Sequence, residues 1–278
     1  MTSSNSATSP LLTSFQACPL CASTETGWLR SDPCDKHPLW QVGLPETMHW
    51  MVCKQCGHVF SRDYFTPEGL DLLFSRANPG QLGGPELDLE RFHWAPTVER
   101  VQRHLPLAPW LSDGTVWMDI GCGSGGLVIT AAEYGFTALG LDTRCQAVER
   151  ITGMGYLASL GDLSELSVSD PVDVISLADV LEHVPFPREA LARVRSALRP
   201  EGLLLVSCPN LDCGSWRRST VDGTNLYWGE IEHLHNFSRT SLMRLLAEEG
   251  FVSLEYSVST RYRSCMEVIA RRPRDTGL

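Results

Sequence analysis

Four thiols open the sequence in two matched pairs, Cys18 and Cys21 in "CPLC" and Cys53 and Cys56 in "CKQC", with residues 22–52 between them. A Cys-x-x-Cys wraps a tight turn around one ion, and two such knuckles supply the four thiolates of a tetrahedral zinc site. Gly57 suits a knuckle whose backbone amides point at sulfur. Cys34, His37 and His58 are close enough in sequence to replace a ligand. A redox dithiol and unconnected cysteines are the other readings, but a redox pair would open a helix in a thioredoxin-like unit, and no such pattern is visible. Further along, "TVWMDIGCGSGGLVITAAEYGFTALGLD" (115–142) places Gly121, Gly123 and Gly125 behind an apolar run. Glycines there let backbone approach a ligand closely, and a helix that follows offers free N–H groups to an anion. Asp142 closes the next apolar run, where an acid binds both ribose hydroxyls of a nucleotide-like ligand. Asp119, two residues before the first glycine, is a poor neighbour for a pyrophosphate and suits a ligand with an ammonium group. The glycines alone leave a nicotinamide cofactor open. The last set pairs carboxylate with imidazole: Glu182–His183 in "DVLEHVPFP", and Glu232, His233 and His235 in "GEIEHLHNFS". A neutral imidazole accepts a proton near pH 7, so these are candidate general bases. His233 is favoured, because Glu232 beside it and Glu182–His183 across the same edge would close a polar pocket. Glu182, His183 and His233 together are also a possible metal set.

These groups need elements to position them. From Thr115 onward, apolar runs at 115–120, 137–141, 156–160, 172–178, 202–207, 251–258 and 264–270 read as strands. Helical segments fall at 125–134, 143–153, 187–198 and 239–249. Strands alternating with helices give a mostly parallel sheet covered on both faces, an α/β doubly wound fold. The last two runs are separated by a few residues and pair only as an antiparallel hairpin. The expectation is seven strands, six parallel and one antiparallel. Residues 1–14 read as a disordered leader, 15–62 as a zinc-ribbon-like module, 63–112 as a helical connector and 113–278 as the α/β domain. In the connector, "TPEGLDLLFSRA" has Thr66 as cap and Pro67 in the first turn, "NPGQLGGP" is a break, and "LERFHWAPTVERVQRHL" is amphipathic around a proline. Ligands of open α/β sheets bind beyond the carboxyl ends of the strands, where the glycine turn, Glu182–His183 and the long polar stretch 209–236 all fall.

Together these residues resemble class I S-adenosylmethionine-dependent methyltransferases. "WMDIGCGSGGL" is similar to their first motif, "ALGLD" to the second, "GDL" to the third, "DVISLADVLEHV" to the fourth, and "LRPEGLLLVSCPN" to the fifth strand and the turn before it. The resemblance covers 116–273 and carries five motifs in order. It implies S-adenosylmethionine as cofactor, held by Asp119, Gly121, Cys122, Gly123, Asp142, Thr143, Asp162 and Leu163, with Leu177 and Ala178 at the methionine end. "EH" and "HLH" are similar to the subgroup that includes ubiquinone-type O-methyltransferases and many sugar and natural-product methyltransferases. The paired knuckles look like the zinc-binding start of some bacterial members. That implies transfer to a small-molecule acceptor, a hydroxyl of a sugar or secondary metabolite.

Composition narrows the alternatives. The net charge of −10 counts against a nucleic-acid surface, since such binding rests on phosphate contacts. An RNA methyltransferase that uses the zinc module for recognition would need a basic face on 15–65, where Arg30, Lys36, Lys54 and Arg62 are the cations. A non-catalytic cofactor-binding interaction protein is the third reading. The longest apolar runs are too short to span a bilayer. A cytoplasmic setting with reduced cysteines is expected, and the oligomeric state is left open.

Overall fold

In the computed structural model, residues 11–75, 87–106, 114–262 and 264–274 are described. The N-terminal part contains β1 (Leu12–Ser14), β2 (Thr26–Pro33), β3 (Thr47–Cys53), β4 (Val59–Ser61), β5 (Asp63–Phe65), α1 (Pro67–Phe74) and α2 (Leu87–His104). β1 pairs antiparallel with β5, so 12–14 are structured where a disordered leader was expected. Residues 1–10 of that leader, and the break at 78–85, lie outside the described residues. α1 starts as its sequence dictates: Thr66 accepts a hydrogen bond from the Gly69 N–H, and Pro67 fills the first turn, where its missing N–H is not needed. α2 runs through Pro96.

The α/β part follows with β6 (Val116–Ile120), α3 (Gly126–Glu133), β7 (Thr137–Asp142), α4 (Cys145–Gly153), β8 (Leu157–Leu160), β9 (Val172–Ala178), α5 (Pro187–Ala197), β10 (Leu198–Pro209), α6 (Gly214–Val221), β11 (His235–Asn236), α7 (Arg239–Glu248), β12 (Val252–Val258) and β13 (Cys265–Arg271). The sheet order is β12-β13-β10-β9-β6-β7-β8. β6 pairs parallel with β7 and β9, β7 with β8, and β9 with β10. β13 lies antiparallel between β10 and β12. This is the seven-stranded sheet expected from the periodicity, six strands one way and one against them. β10 starts earlier than its apolar run because Leu198 already pairs with Val172 before an irregularity that ends at Leu203.

The core is buried on both faces of the sheet, as parallel strands require. Val174, Leu203 and Leu205 face one side, and Ile175, Leu177, Leu204 and Val206 the other. Trp117 is fully buried but not unpaired: its indole N–H donates to Ser176 Oγ at 2.9 Å.

A four-stranded sheet in the order β11-β4-β3-β2 carries the cysteine knuckles. Its edge strand β11 comes from the other end of the chain, with His235 opposite Phe60 and Asn236 opposite Val59. The N-terminal module is thereby hydrogen-bonded to the segment that follows the long connection after β10.

Candidate active site

β6 and β7 end side by side, and the glycine turn lies between them and α3. Gly121, Gly123 and Gly125 all have positive φ (69°, 52° and 87°). Gly121 has a steric reason as well, since a Cβ there would sit 2.6 Å from the Val180 side chain. Beyond this turn opens a cleft of about 1250 Å³ along the carboxyl edge of the sheet, lined by Gly121, Gly123 and Ala178 and also by Glu182, His183 and His233.

Asp119 is only 3% exposed and accepts a 2.5 Å bond from Ser176 Oγ. Burial pushes its carboxyl up to about 7, against the pull of that hydrogen bond. A buried carboxyl facing a cleft suits a cationic partner. Asp142 has the opposite balance. Burial raises it, but Arg144, with a guanidinium bond of 2.9 Å and a backbone bond of 3.0 Å, and the Gly123 N–H at 2.9 Å hold it below the usual carboxylate range. That bond also fixes the glycine turn against β7. Cys122 lines the cleft. Thr143 is exposed, and Asp162, also exposed, caps the short turn Leu163–Glu165 by accepting from the Ser164 N–H. Leu163 and Leu177 are buried in the core, and neither lines the cleft.

Glu182 and His183 sit in the 3₁₀ turn Leu181–His183 just after β9. His183 Nδ1 donates to the Glu232 carbonyl at 3.0 Å, and its ring meets that of His233 edge-on at 4.7 Å. Glu182, 1% exposed, is pushed well above the carboxylate range by burial and the nearby Asp179. Burial lowers His233 well below the usual imidazole value, so it is a neutral ring. Glu232 lines the same wall. His235 does not reach the cleft. The "HLH" run turns at 233 and enters β11 at 235, so the two imidazoles diverge. His235 Nε2 donates to the Val184 carbonyl at 2.9 Å, which leaves Nδ1 to accept from His58 Nε2 at 3.1 Å. It is a buried structural ring, and the expectation that it is a candidate base is corrected on that ground.

The four cysteines converge. Cys18 and Cys56 Sγ are 3.6 Å apart, Cys21 and Cys53 3.5 Å, and all four lie within 4.8 Å of one another. Zinc–sulfur bonds of about 2.3 Å give tetrahedral edges of about 3.8 Å, which this set matches. Although burial opposes it, the Cys56 N–H and the neighbouring thiol of Cys21 lower the Cys53 thiol to about 7. The alternative ligands are engaged elsewhere. Cys34 donates to the Pro45 carbonyl, His37 faces Glu230 at 2.6 Å, and His58 packs on His235.

Several cleft residues had no local sequence signal. Trp94 and Glu90 arrive on α2, and Arg261 from the turn between β12 and β13. Arg261 lies over Trp94 at 3.6 Å and pairs with Asp179 at 2.9 Å. Asp179 is one of three described non-glycine residues with positive φ (58°), a strain that clusters at functional turns. Of the aromatic residues in the long connection, Trp216 and Trp228 are buried, and Tyr227 reaches the cleft.

A family profile described as a methyltransferase domain matches residues 93–256. Among curated proteins, the chain is similar to the ubiquinone biosynthesis O-methyltransferase of Aliivibrio fischeri, 26% identical over 160 residues that span 51% of this chain and 68% of that one. The Vibrio cholerae protein of the same description is 29% identical over 160 residues, 51% of this chain and 65% of its own. Among solved structures, magnesium protoporphyrin IX methyltransferase from Synechocystis PCC 6803 with bound S-adenosylhomocysteine aligns with a TM-score of 0.57 at 19% identity, over 74% of this chain and all of that one. An N-methyltransferase from Bradyrhizobium japonicum WM9, also in complex with S-adenosylhomocysteine, gives 0.50 at 18% identity, over 70% and 96%. At such identities the structures establish a shared fold.

The neutral ring of His235 has a consequence for stability. Burial lowers it to about 4. The unfolded chain takes up its proton near pH 6.5 and the folded one does not, so this contribution is complete above that pH and is lost as pH falls toward 4. Asp119 and Glu182, raised by burial, slope the other way, so the effect is read as a difference. The stability gap between the native protein and His235→Gln should shrink by up to about 1.4 kcal/mol per pH unit between pH 6.5 and 5 in urea unfolding. A gap independent of pH would mean that His235 is not held neutral.

Proposed function

Because the chain belongs to the methyltransferase-domain family, we propose that it transfers a methyl group from S-adenosylmethionine to a hydroxyl of a small-molecule acceptor, a sugar or secondary metabolite. The observation that carries this reading is the continuity of the cleft. The glycine turn with Asp119 and the Glu182–His183–His233 cluster line a single cavity.

The donor supplies an activated methyl group on a sulfonium that leaves neutral. What the chain must add is alignment of the acceptor and removal of its proton. In this reading the buried carboxyl of Asp119 meets the ammonium of the methionine part, Gly121 and Gly123 let it lie against the backbone, and Asp142 holds the ribose while pinning Gly123. Asp162 faces the adenine, and Ala178 lies at the methyl end. His233 accepts the acceptor proton, and His183, fixed through its bond to the Glu232 carbonyl, orients it. The reading favours a small molecule over RNA because Arg30 and Arg62 of the N-terminal module are already paired with Asp32 and Asp63. We read Cys18, Cys21, Cys53 and Cys56 as the ligands of one structural zinc, which orders the knuckles on which β3 and β4 are built.

Three outcomes follow. Elemental analysis should find one zinc per chain. Cys53→Ser should release it and unfold the knuckles while S-adenosylhomocysteine still binds, and a metal-free protein with a folded module would sink the zinc reading. Calorimetry should detect S-adenosylmethionine and its demethylated product but no NAD, and Asp142→Ala should weaken that binding by about 1.5–3 kcal/mol. Unchanged affinity would move the ribose contact elsewhere. With a responding acceptor, His233→Ala should lower turnover by about 10²–10⁴-fold with product affinity unchanged. Near-native turnover would leave positioning as the whole of catalysis.

A further inference from the structure

Three polar side chains, Glu182, His183 and His233, meet in the wall of the cleft. Glu182 Oε2 is buried and has no hydrogen-bond partner, and neither has His233 Nδ1, on a residue 7% exposed. His183 donates through Nδ1, so its Nε2 is left as an acceptor. A ring nitrogen of each histidine and a carboxylate oxygen of Glu182 lie within 4.8 Å of one another. The guanidinium groups that line the cleft are already committed: Arg144 to Asp142, Arg218 to Asp222, Arg261 to Asp179. Glu230 and Glu232 add further carboxylates along the same wall. A buried acceptor without a donor is costly, and a cluster of them selects a ligand that brings N–H bonds and positive charge.

We propose that the acceptor molecule carries a protonated amine, and that Glu182 and His183, beside His233, form the subsite that receives it. The proposal rests on the methyl-transfer reading of the cleft. An ammonium with hydrogen bonds near 2.8 Å holds its acceptors up to about 4.6 Å apart, the scale on which these side chains cluster. A divalent metal is the competing occupant. Ligating imidazoles are held by a hydrogen bond from the ring nitrogen that does not touch the metal. His183 has such a bond, so the metal is an outcome that the test must separate from the amine. Burial keeps the proton on Glu182 while the subsite holds no cation, and an arriving ammonium displaces it.

The test uses the protein saturated with S-adenosylhomocysteine and amines matched with their hydroxyl counterparts: glucosamine with glucose, ethanolamine with ethylene glycol, dopamine with 3,4-dihydroxyphenylethanol. At pH 7 at least one amine should bind about tenfold or more tightly than its counterpart, the gain expected of a charged hydrogen bond. Its binding should release a proton, seen as a dependence of the binding heat on the buffer. Glu182→Gln should remove the preference and leave S-adenosylhomocysteine affinity unchanged. If no amine outbinds its partner on the native protein, none binding included, the proposal falls while the methyl-transfer reading stands. Failure to bind S-adenosylhomocysteine overturns both. Tight Mn²⁺ binding, read by electron paramagnetic resonance and lost in Glu182→Gln, assigns the subsite to a metal and overturns the amine.

Discussion

One buried guanidinium holds the floor of the cleft together. Arg261 donates to Asp179 and to Ser207, each at 2.9 Å, lies over the Trp94 ring at 3.6 Å and sits 4.0 Å from Glu267. Glu267 is itself fully buried and gathers Thr97, Arg100 and Ser259. Through these bonds α2 is fastened across the sheet to β10 and β13. A buried cation is tolerated only where acids surround it, and the acids are tolerated only because of the cation. The positive φ of Asp179, the placement of Trp94 and the turn that presents Glu182 and His183 all stand on this mutual requirement.

The second wall is positioned from farther away. The segment bearing Tyr227, Glu230, Glu232 and His233 is held at both ends by the N-terminal module. Trp50 donates its indole N–H to the Trp228 carbonyl at 2.8 Å, and the Ser61 N–H donates to the Leu234 carbonyl at 2.8 Å beside the β4–β11 pairing. Gly229 is needed there, because a Cβ would lie 2.6 Å from the Pro33 carbonyl. A module that shares no residue with the glycine turn therefore shapes part of the wall of the cleft.

Sequence periodicity foretold the seven strands and their polarity to within a few residues, because parallel strands buried on both faces leave long apolar runs that little else produces. The glycine turn and the knuckles were legible for a similar reason, since each packs its chemistry into a few adjacent positions. What stayed hidden was assembled across the chain. Arg261 looks like a surface residue in "STRYRS", and nothing near it in sequence announces Asp179 or Trp94. His235 misled because spacing alone says nothing of a residue's partner. Only the pairing of β11 with β4 shows that its ring turns toward His58 while His233 turns to the cleft.

The β4–β11 pairing joins residues that are synthesised far apart in time. His58 and His235 are 177 positions apart. At translation rates of about 5–20 residues per second, β4 waits roughly 10–35 s for the strand that covers its edge. During that interval Val59 and Phe60 present unpaired backbone groups and apolar side chains, the combination through which nascent chains associate. The β3–β4 hairpin is local and closes early, yet the sheet it belongs to cannot be finished until the ribosome has passed the second half of the α/β domain. Maturation of the N-terminal module is thus timed by the chain's far end, and truncations between β4 and β11 leave an open edge rather than an independent domain.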